Sequence, residues 1–360
     1  MNRINNFNPG PAALPLEVLE QAQKEFANYR ELGMSVMEMS HRSKEVERLG
    51  EETVQLLAEL LELPAEYRVL FMGGGASMQF ALVPLNFLKP GKVGHYILSG
   101  SFSEKAYLEA QTIGKAAILA SSKDNGWRKL PVIDEPLGTD SAFVHMTTNN
   151  TIEGSQFRSL PDTGKVPLIG DMTSDMMSRK IDFTRFSMFY AAAQKNLGPA
   201  GVTVAVIHEE LLKECAEHIP TIFNYNTYVQ HQSLYNTPPV FSIYLMKLVL
   251  EWTERQGGIT QLEKQNSEKA KLLYDVIDAS GGYYKGIVEK PFRSMMNITW
   301  RMLDEELEKR FVQEAVINGF EGLGGHRSVG GLRASAYNAV PVPACKELAD
   351  FMADFQQRNG

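Results

Sequence analysis

VPLIGDMTSDMMSRKIDFTRFSMFYAAAQKNLGPAG, residues 166–201, sets Asp171 after one apolar run and Lys195 after another. Short apolar runs bounded by polar and turn-forming residues read as strands, and in a parallel α/β sheet the carboxyl ends of the strands open on one crevice. Asp171 and Lys195, 24 residues apart in the chain, can therefore face one ligand. Such a pair suits pyridoxal phosphate, whose aldehyde needs a lysine amine and whose pyridine nitrogen needs a carboxylate to hold it protonated. Lys195 lies in AAAQKNLGPAG, where alanines and glycines would solvate an ammonium poorly. Partial burial lowers a lysine pKa, and the neutral amine is the form that attacks a carbonyl. Taken singly, a lysine at a strand end more often reaches out to water and an aspartate more often caps a turn. Their pairing is what gives both a role.

Working outward, apolar runs and helical periods alternate. Strands are expected at Tyr67–Met72, Val93–Leu98, Ala116–Ala120, Phe143–Met146, Val166–Ile169, Met188–Ala191 and Val202–Ile207. Helices are expected at Leu16–Tyr29, Ser43–Leu61, Ser77–Leu88, Ser101–Ile113 and Val240–Arg255. Alternation of this kind implies an α/β fold with a mainly parallel, helix-covered sheet. After Gln256-Gly257-Gly258 the order changes to helix Thr260–Ala279, strand Met295–Trp300, helix Glu305–Asn318, strand Leu332–Ser335 and helix Ala344–Gln357, a smaller α+β unit. At 360 residues the chain exceeds the roughly 250–300 at which single cores stop growing, so two domains are expected, 1–256 and 257–360.

Gly73-Gly74-Gly75-Ala76-Ser77 stands between an expected strand and helix. Small residues there let backbone N–H groups close on an anion, and the helix dipole favours negative charge. The loop lacks the Gly-Lys-Ser/Thr ending of a nucleoside-triphosphate loop and the spaced glycines of a dinucleotide site. Alone it is better read as a tight turn.

A net charge of −7 argues against a nucleic-acid partner, whose backbone is bound by clustered Lys and Arg. The start, MNRINNFNPGPAALP, has no apolar signal core, and Val240–Leu250, interrupted by Lys247, is too short to span a bilayer. Cys215 and Cys345 form neither a disulfide framework nor a metal motif. A cytoplasmic protein is expected. The methionines of MTSDMMSR and MSVMEMS read as packing, since methionine fills core gaps far more often than it binds copper. No metal site is expected, and His145 and His208 read as a core-strand residue and a helix start.

The residues resemble the phosphoserine aminotransferase family, of the aspartate-aminotransferase type (fold type I of pyridoxal-phosphate enzymes). The likeness runs through FNPGPAALP (7–15), MSHRS (39–43), GGGASMQF (73–80), TTNNTIEG (147–154), the Asp171 segment, AQKNLGPAG (193–201), NTPP (236–239) and GGHRSVGGLRASAYNA (324–339). The resemblance implies that Lys195 binds the cofactor aldehyde and that Asp171 meets the pyridine nitrogen. It further implies that Ala76, Ser77 and Gln194 hold the cofactor phosphate and that Thr151 bonds the ring hydroxyl. Asn236 and Thr237 would reach the same phosphate from a second subunit, making a homodimer with composite sites. The N-terminal residues 1–15 would lie near the site.

Two positions depart from the family pattern. Phe102, in GSFSEKA, stands where many relatives stack a tryptophan on the pyridine ring, and Ser77 where some carry an arginine for the substrate phosphate. More of the anion binding then falls to His41-Arg42 and His326-Arg327. A guanidinium binds carboxylate or phosphate in a two-bond fork, and histidine adds a donor. By resemblance Arg333 would hold the substrate α-carboxylate, and the two His-Arg pairs the side-chain phosphate or the glutamate γ-carboxylate. The implied reaction is a ping-pong transamination between glutamate and 3-phosphohydroxypyruvate in serine biosynthesis, with the phosphohydroxythreonine of vitamin B6 (pyridoxine) synthesis open as a second substrate. A serine–pyruvate or alanine–glyoxylate aminotransferase would keep Lys195 and Asp171 without a phosphate clamp. A phosphate-ligand binding protein would use the glycine loop and arginines alone, and a cysteine desulfurase would need a thiolate on a mobile loop.

Overall fold

The computed structural model describes residues 3–133, 136–327 and 329–360. A short strand β1 (Asn5–Asn6) precedes helices α1 (Leu16–Glu25) and α2 (Lys44–Leu60). α1 stops short of the expected Tyr29. Asn28 Oδ1 there accepts from Gly33 N–H at 2.7 Å, and Arg30 and Glu31 take left-handed φ of 48° and 63°, which no continuing helix tolerates. α2 begins where Ser43 Oγ accepts from Val46 N–H, and it buries Val46, Leu49, Thr53 and Leu57.

The alternation then unfolds as β2 (Tyr67–Met72), α3 (Gly75–Phe87), β3 (Val93–Leu98), α4 (Ser101–Ile113), β4 (Ala116–Ser121) and β5 (Ser141–Thr147). A small antiparallel pair, β6 (Asn149–Asn150) and β7 (Ser155–Gln156), leads to β8 (Leu168–Asp171), β9 (Met188–Ala192) and β10 (Thr203–His208). Seven strands form one sheet in the order β2-β10-β9-β8-β5-β3-β4. β10 runs antiparallel to both neighbours and the other pairings between adjacent strands are parallel, so β2, β9, β8, β5, β3 and β4 end on one edge. Val144 and Phe189 pack on the face covered by α2 and α7, and Phe143 and Tyr190 on the face covered by α3 and α4. Burial on both faces is why these strands read as continuous apolar runs.

Short helices α5 (Glu209–Leu212), at the helix start expected at His208, and α6 (Tyr225–Gln230), not expected from periodicity, precede α7 (Val240–Arg255) and α8 (Gly258–Ala279). Then come β11 (Lys285–Gly286), β12 (Asn297–Arg301), α9 (Glu305–Ile317), β13 (Phe320–Glu321), β14 (Leu332–Ser335) and α10 (Val342–Asn359). β11, β12 and β14 make a three-stranded antiparallel sheet whose core holds Trp300, Phe311 and Phe355. The N-terminus joins this end of the molecule: β1 pairs with β13, and Phe7 lies in the same cluster. Met172, Met176 and Met177 are core residues, whereas Met34 and Met37, on a surface segment, are exposed. His145 is a buried residue of β5, and His208 caps α5. No described helix is long and apolar enough to cross a membrane.

Candidate active site

Strand registry assembles the site. Thr147, Asp171 and Tyr190 lie level on β5, β8 and β9, so Asp171 ends its strand at the carboxyl edge of the sheet. Lys195 stands three residues past the end of β9, in a turn tightened by Leu197 and Gly198 N–H groups on Ala193 O. Both side chains are sequestered, Asp171 4% and Lys195 8% exposed. Burial lowers the Lys195 pKa to about 8; the charge of Asp171 opposes this and that of Arg333 adds to it. Burial likewise raises the Asp171 pKa, against hydrogen bonds from Thr173 and the charge of Lys195. The Thr173 N–H reaches Asp171 Oδ1 at 2.9 Å.

Four elements converge on this pair. Thr151, in the turn between β6 and β7, accepts from Lys195 Nζ at 2.5 Å. Phe102, the second residue of α4, holds its ring centroid 5.5 Å from the same nitrogen. Arg333 of β14 donates from Nη1 to Thr151 O at 3.1 Å. The N-terminal segment closes over the lysine: Ala12 N–H bonds Gln194 O at 2.9 Å, and a Cβ on Gly10 would touch Lys195 Cγ and Cε at 3.4 Å. Tyr337 secures that segment through its hydroxyl on Pro9 O, and Asn338 N–H bonds Asn196 Oδ1, tying the chain after β14 to the Lys195 turn.

The remaining expected residues fall into three groups. Ala76 and Ser77 lie in the first turn of α3, which starts at Gly75 rather than Ser77 because the left-handed Gly74 serves as its N-cap. That turn opens on the same sheet edge, where free N–H groups attract an anion. His326 stands close enough to Arg333, Arg327 and Lys105 for their charges to add to the effect of burial in lowering its pKa. His41 and Thr237 form a separate group, Nδ1 to Oγ1 at 3.3 Å, with Arg42 and Asn236 exposed beside them. No hydrogen bond or ion pair within the described chain joins that group to Lys195 or Asp171.

Sequence reasoning passed over Thr173, Tyr337, Lys105 and Glu153. Lys105 Nζ lies 5.1 Å from the Phe102 ring centroid, and its place three residues after Phe102 on a helix was the available signal. Glu153 stood within TTNNTIEG, two residues past Thr151.

The site fits pyridoxal phosphate. Thr147 Oγ1 and Arg333 Nε are buried without a protein partner. Such orphans are costly unless something satisfies them. An amine, a carboxylate, a hydroxyl and an aromatic ring at the sheet edge, with a helix N-terminus on that edge, match the aldehyde, the ring nitrogen, the ring hydroxyl, the ring face and the phosphate.

Residues 4–342 match the family model described as aminotransferase class V, and the chain belongs to that class. It is 53% identical over 358 residues to the phosphoserine aminotransferase of Lysinibacillus sphaericus, covering 99% of each. The solved phosphoserine aminotransferase of Bacillus circulans subsp. alkalophilus superposes with a TM-score of 0.97 at 52% identity, covering 99% of both chains. The PLP-bound phosphoserine aminotransferase of Trichomonas vaginalis does so with a TM-score of 0.93 at 35% identity, over 98% of this chain and all of the other. Within the class, the chain is a member of the phosphoserine aminotransferase family. Its cofactor is pyridoxal 5'-phosphate.

Proposed function

We infer that this chain catalyses the phosphoserine aminotransferase reaction of serine biosynthesis: glutamate gives up its amino group, and 3-phosphohydroxypyruvate takes it up to become O-phosphoserine. The observation that carries this reading is a buried lysine, held partly neutral beside Asp171, at a sheet edge that also receives Arg333. When bound, the cofactor supplies an aldehyde that accepts an amine and a ring that draws electrons from the substrate α-carbon. Asp171 would keep a proton on the ring nitrogen, its negative charge favouring the protonated form. Lys195 Nζ, its amine free once the substrate is bound, would take the proton from the substrate α-carbon as general base and give it up at the aldehyde carbon as general acid. Phe102 would stack on the ring, Thr151 would bond its hydroxyl, and Ala76, Ser77 and Gln194 would receive the phosphate.

Arg333 holds the α-carboxylate, and His41, Arg42, His326 and Arg327 hold the distal anion. The lack, among the described residues, of a hydrogen bond or ion pair joining the His41–Thr237 group to Lys195 is in keeping with a homodimer in which His41, Arg42, Asn236 and Thr237 serve the partner's site. We take residues 1–256 as the cofactor-binding domain and 257–360 as the smaller one, in keeping with the separate antiparallel sheet after α8. The cytoplasm is the proposed location, in keeping with two free, buried cysteines. The reading is tested by comparing O-phosphoserine, serine and alanine as amino donors. The phosphorylated donor is expected to lead by about a hundredfold or more in kcat/KM, the scale of desolvated charge pairs, and equal rates would remove the phosphate clamp.

A further inference from the structure

Glu153 takes no part in the scheme above, yet it lies inside the site and is only 3% exposed. Its Oε1 accepts from the Ser101 N–H at 2.8 Å and from the Ser101 hydroxyl at 2.6 Å. Ser101 is the first residue of α4, and the N-cap before it is Gly100, which has no side chain to offer. The first N–H groups of a helix find no partner within it, so Glu153 caps α4 from 52 residues away. Ser103 Oγ closes the rest of the turn, accepting from Ser99 N–H at 2.9 Å and Gly100 N–H at 3.0 Å.

The fit allows little freedom. A Cβ on Gly100 would stand 2.6 Å from Glu153 Oε2 and 2.7 Å from Asn150 Oδ1, so the carboxylate can approach this closely only over a glycine. Behind it, the Thr299 hydroxyl holds Glu153 O at 2.7 Å. Burial raises the Glu153 pKa, while the Ser101 bonds and the charge of Arg333 favour the ionised form. The next residue along α4 is Phe102, the ring facing Lys195. Helix ends fray first where their caps are lost, so whatever holds Ser101 also sets the height of that ring.

We propose that Glu153 is a positioning residue: its carboxylate caps α4 from outside the helix and thereby holds the Phe102 ring against the cofactor. The inference rests on the reading in which Phe102 stacks on the pyridine ring. Two conservative variants separate geometry from charge. Glu153→Gln keeps an oxygen in place for both Ser101 donors and removes the charge; Glu153→Asp keeps the charge and withdraws the oxygen by one methylene.

The measurements are the visible circular dichroism of bound pyridoxal phosphate and its dissociation constant, taken on refilled protein. Glu153→Gln is expected within about twofold of wild type, and Glu153→Asp to bind about fivefold more weakly with a band of about half the amplitude, the scale of a lost helix cap. In a Phe102→Ala background, Glu153→Asp is expected to add nothing further. The reverse order, with Asp normal and Gln impaired, overturns the proposal, as does wild-type behaviour of both. Phe102→Ala is the control for the underlying reading. If it leaves the band unchanged, stacking and the Glu153 inference fall together; if it alters the band while Glu153→Asp does not, only the inference falls.

Discussion

At Lys195 two influences compete: removal from water favours the neutral amine, and Asp171 favours the ammonium. Burial prevails, and the pKa falls from 10.5 to about 8. The neutral fraction, the nucleophile, therefore grows as pH rises toward about 8 and saturates above it. Capture of pyridoxal phosphate by protein stripped of cofactor, followed by visible absorbance, is expected to slow about tenfold per pH unit on the acid side of that value and to level off on the alkaline side. A rate still climbing past pH 10 would show a lysine in contact with water. Lys195→Ala should show no such capture at any pH.

Among the elements, α2 and α7 are joined by charge as well as by apolar packing. Glu52 of α2 meets Arg30 at 2.9 Å, Arg48 at 2.7 Å and Lys247 of α7 at 3.4 Å. Partial burial alone would raise its pKa, but these cations prevail and lower it from 4.5 to about 2. A carboxylate whose folded pKa lies below its unfolded one stabilises the fold above the unfolded value and loses that contribution as pH falls toward the folded value. Glu52→Gln is thus expected to cost about 1 kcal/mol in urea unfolding at pH 7, a small figure because the group is partly solvated. The gap should shrink between pH 4.5 and about 2. An equal deficit at pH 7 and pH 3 would assign the effect to packing.

For the whole molecule, the decisive matter is whether, as proposed, a second subunit supplies part of the site. If Arg42 serves the partner's Lys195, an Arg42→Ala subunit and a Lys195→Ala subunit, each nearly inactive alone, share one intact site when paired. Random pairing then restores up to about a quarter of wild-type turnover, since half the dimers are mixed and each has one good site of two. No recovery on mixing would place Arg42 in its own subunit's site. Native mass spectrometry of the same mixtures, which resolves mixed from like dimers, reports whether pairing occurred.

Much was legible along the chain because it depends on near neighbours. Apolar runs and the 3.6-residue helical period located β2, β3, α4 and α7 to the residue and put a strand near β14, and the apolar runs before Asp171 and Lys195 marked both as strand-end groups. Other features depended on contacts between distant segments. An apolar run carries no sign of its direction, so the antiparallel course of β10 emerges only from the assembled sheet. The parallel pairing of β1 with β13, the reach of Glu153 to Ser101, and the meeting of His41 with Thr237 across 196 residues follow from long-range packing that no local period encodes. The sequence by itself determined the pyridoxal-phosphate class of the chain and which groups, Lys195 and Asp171 first, are the candidates for its chemistry. The tertiary structure alone decided what holds them in place, because burial and distance, which set a pKa or aim a ring, belong to the folded molecule.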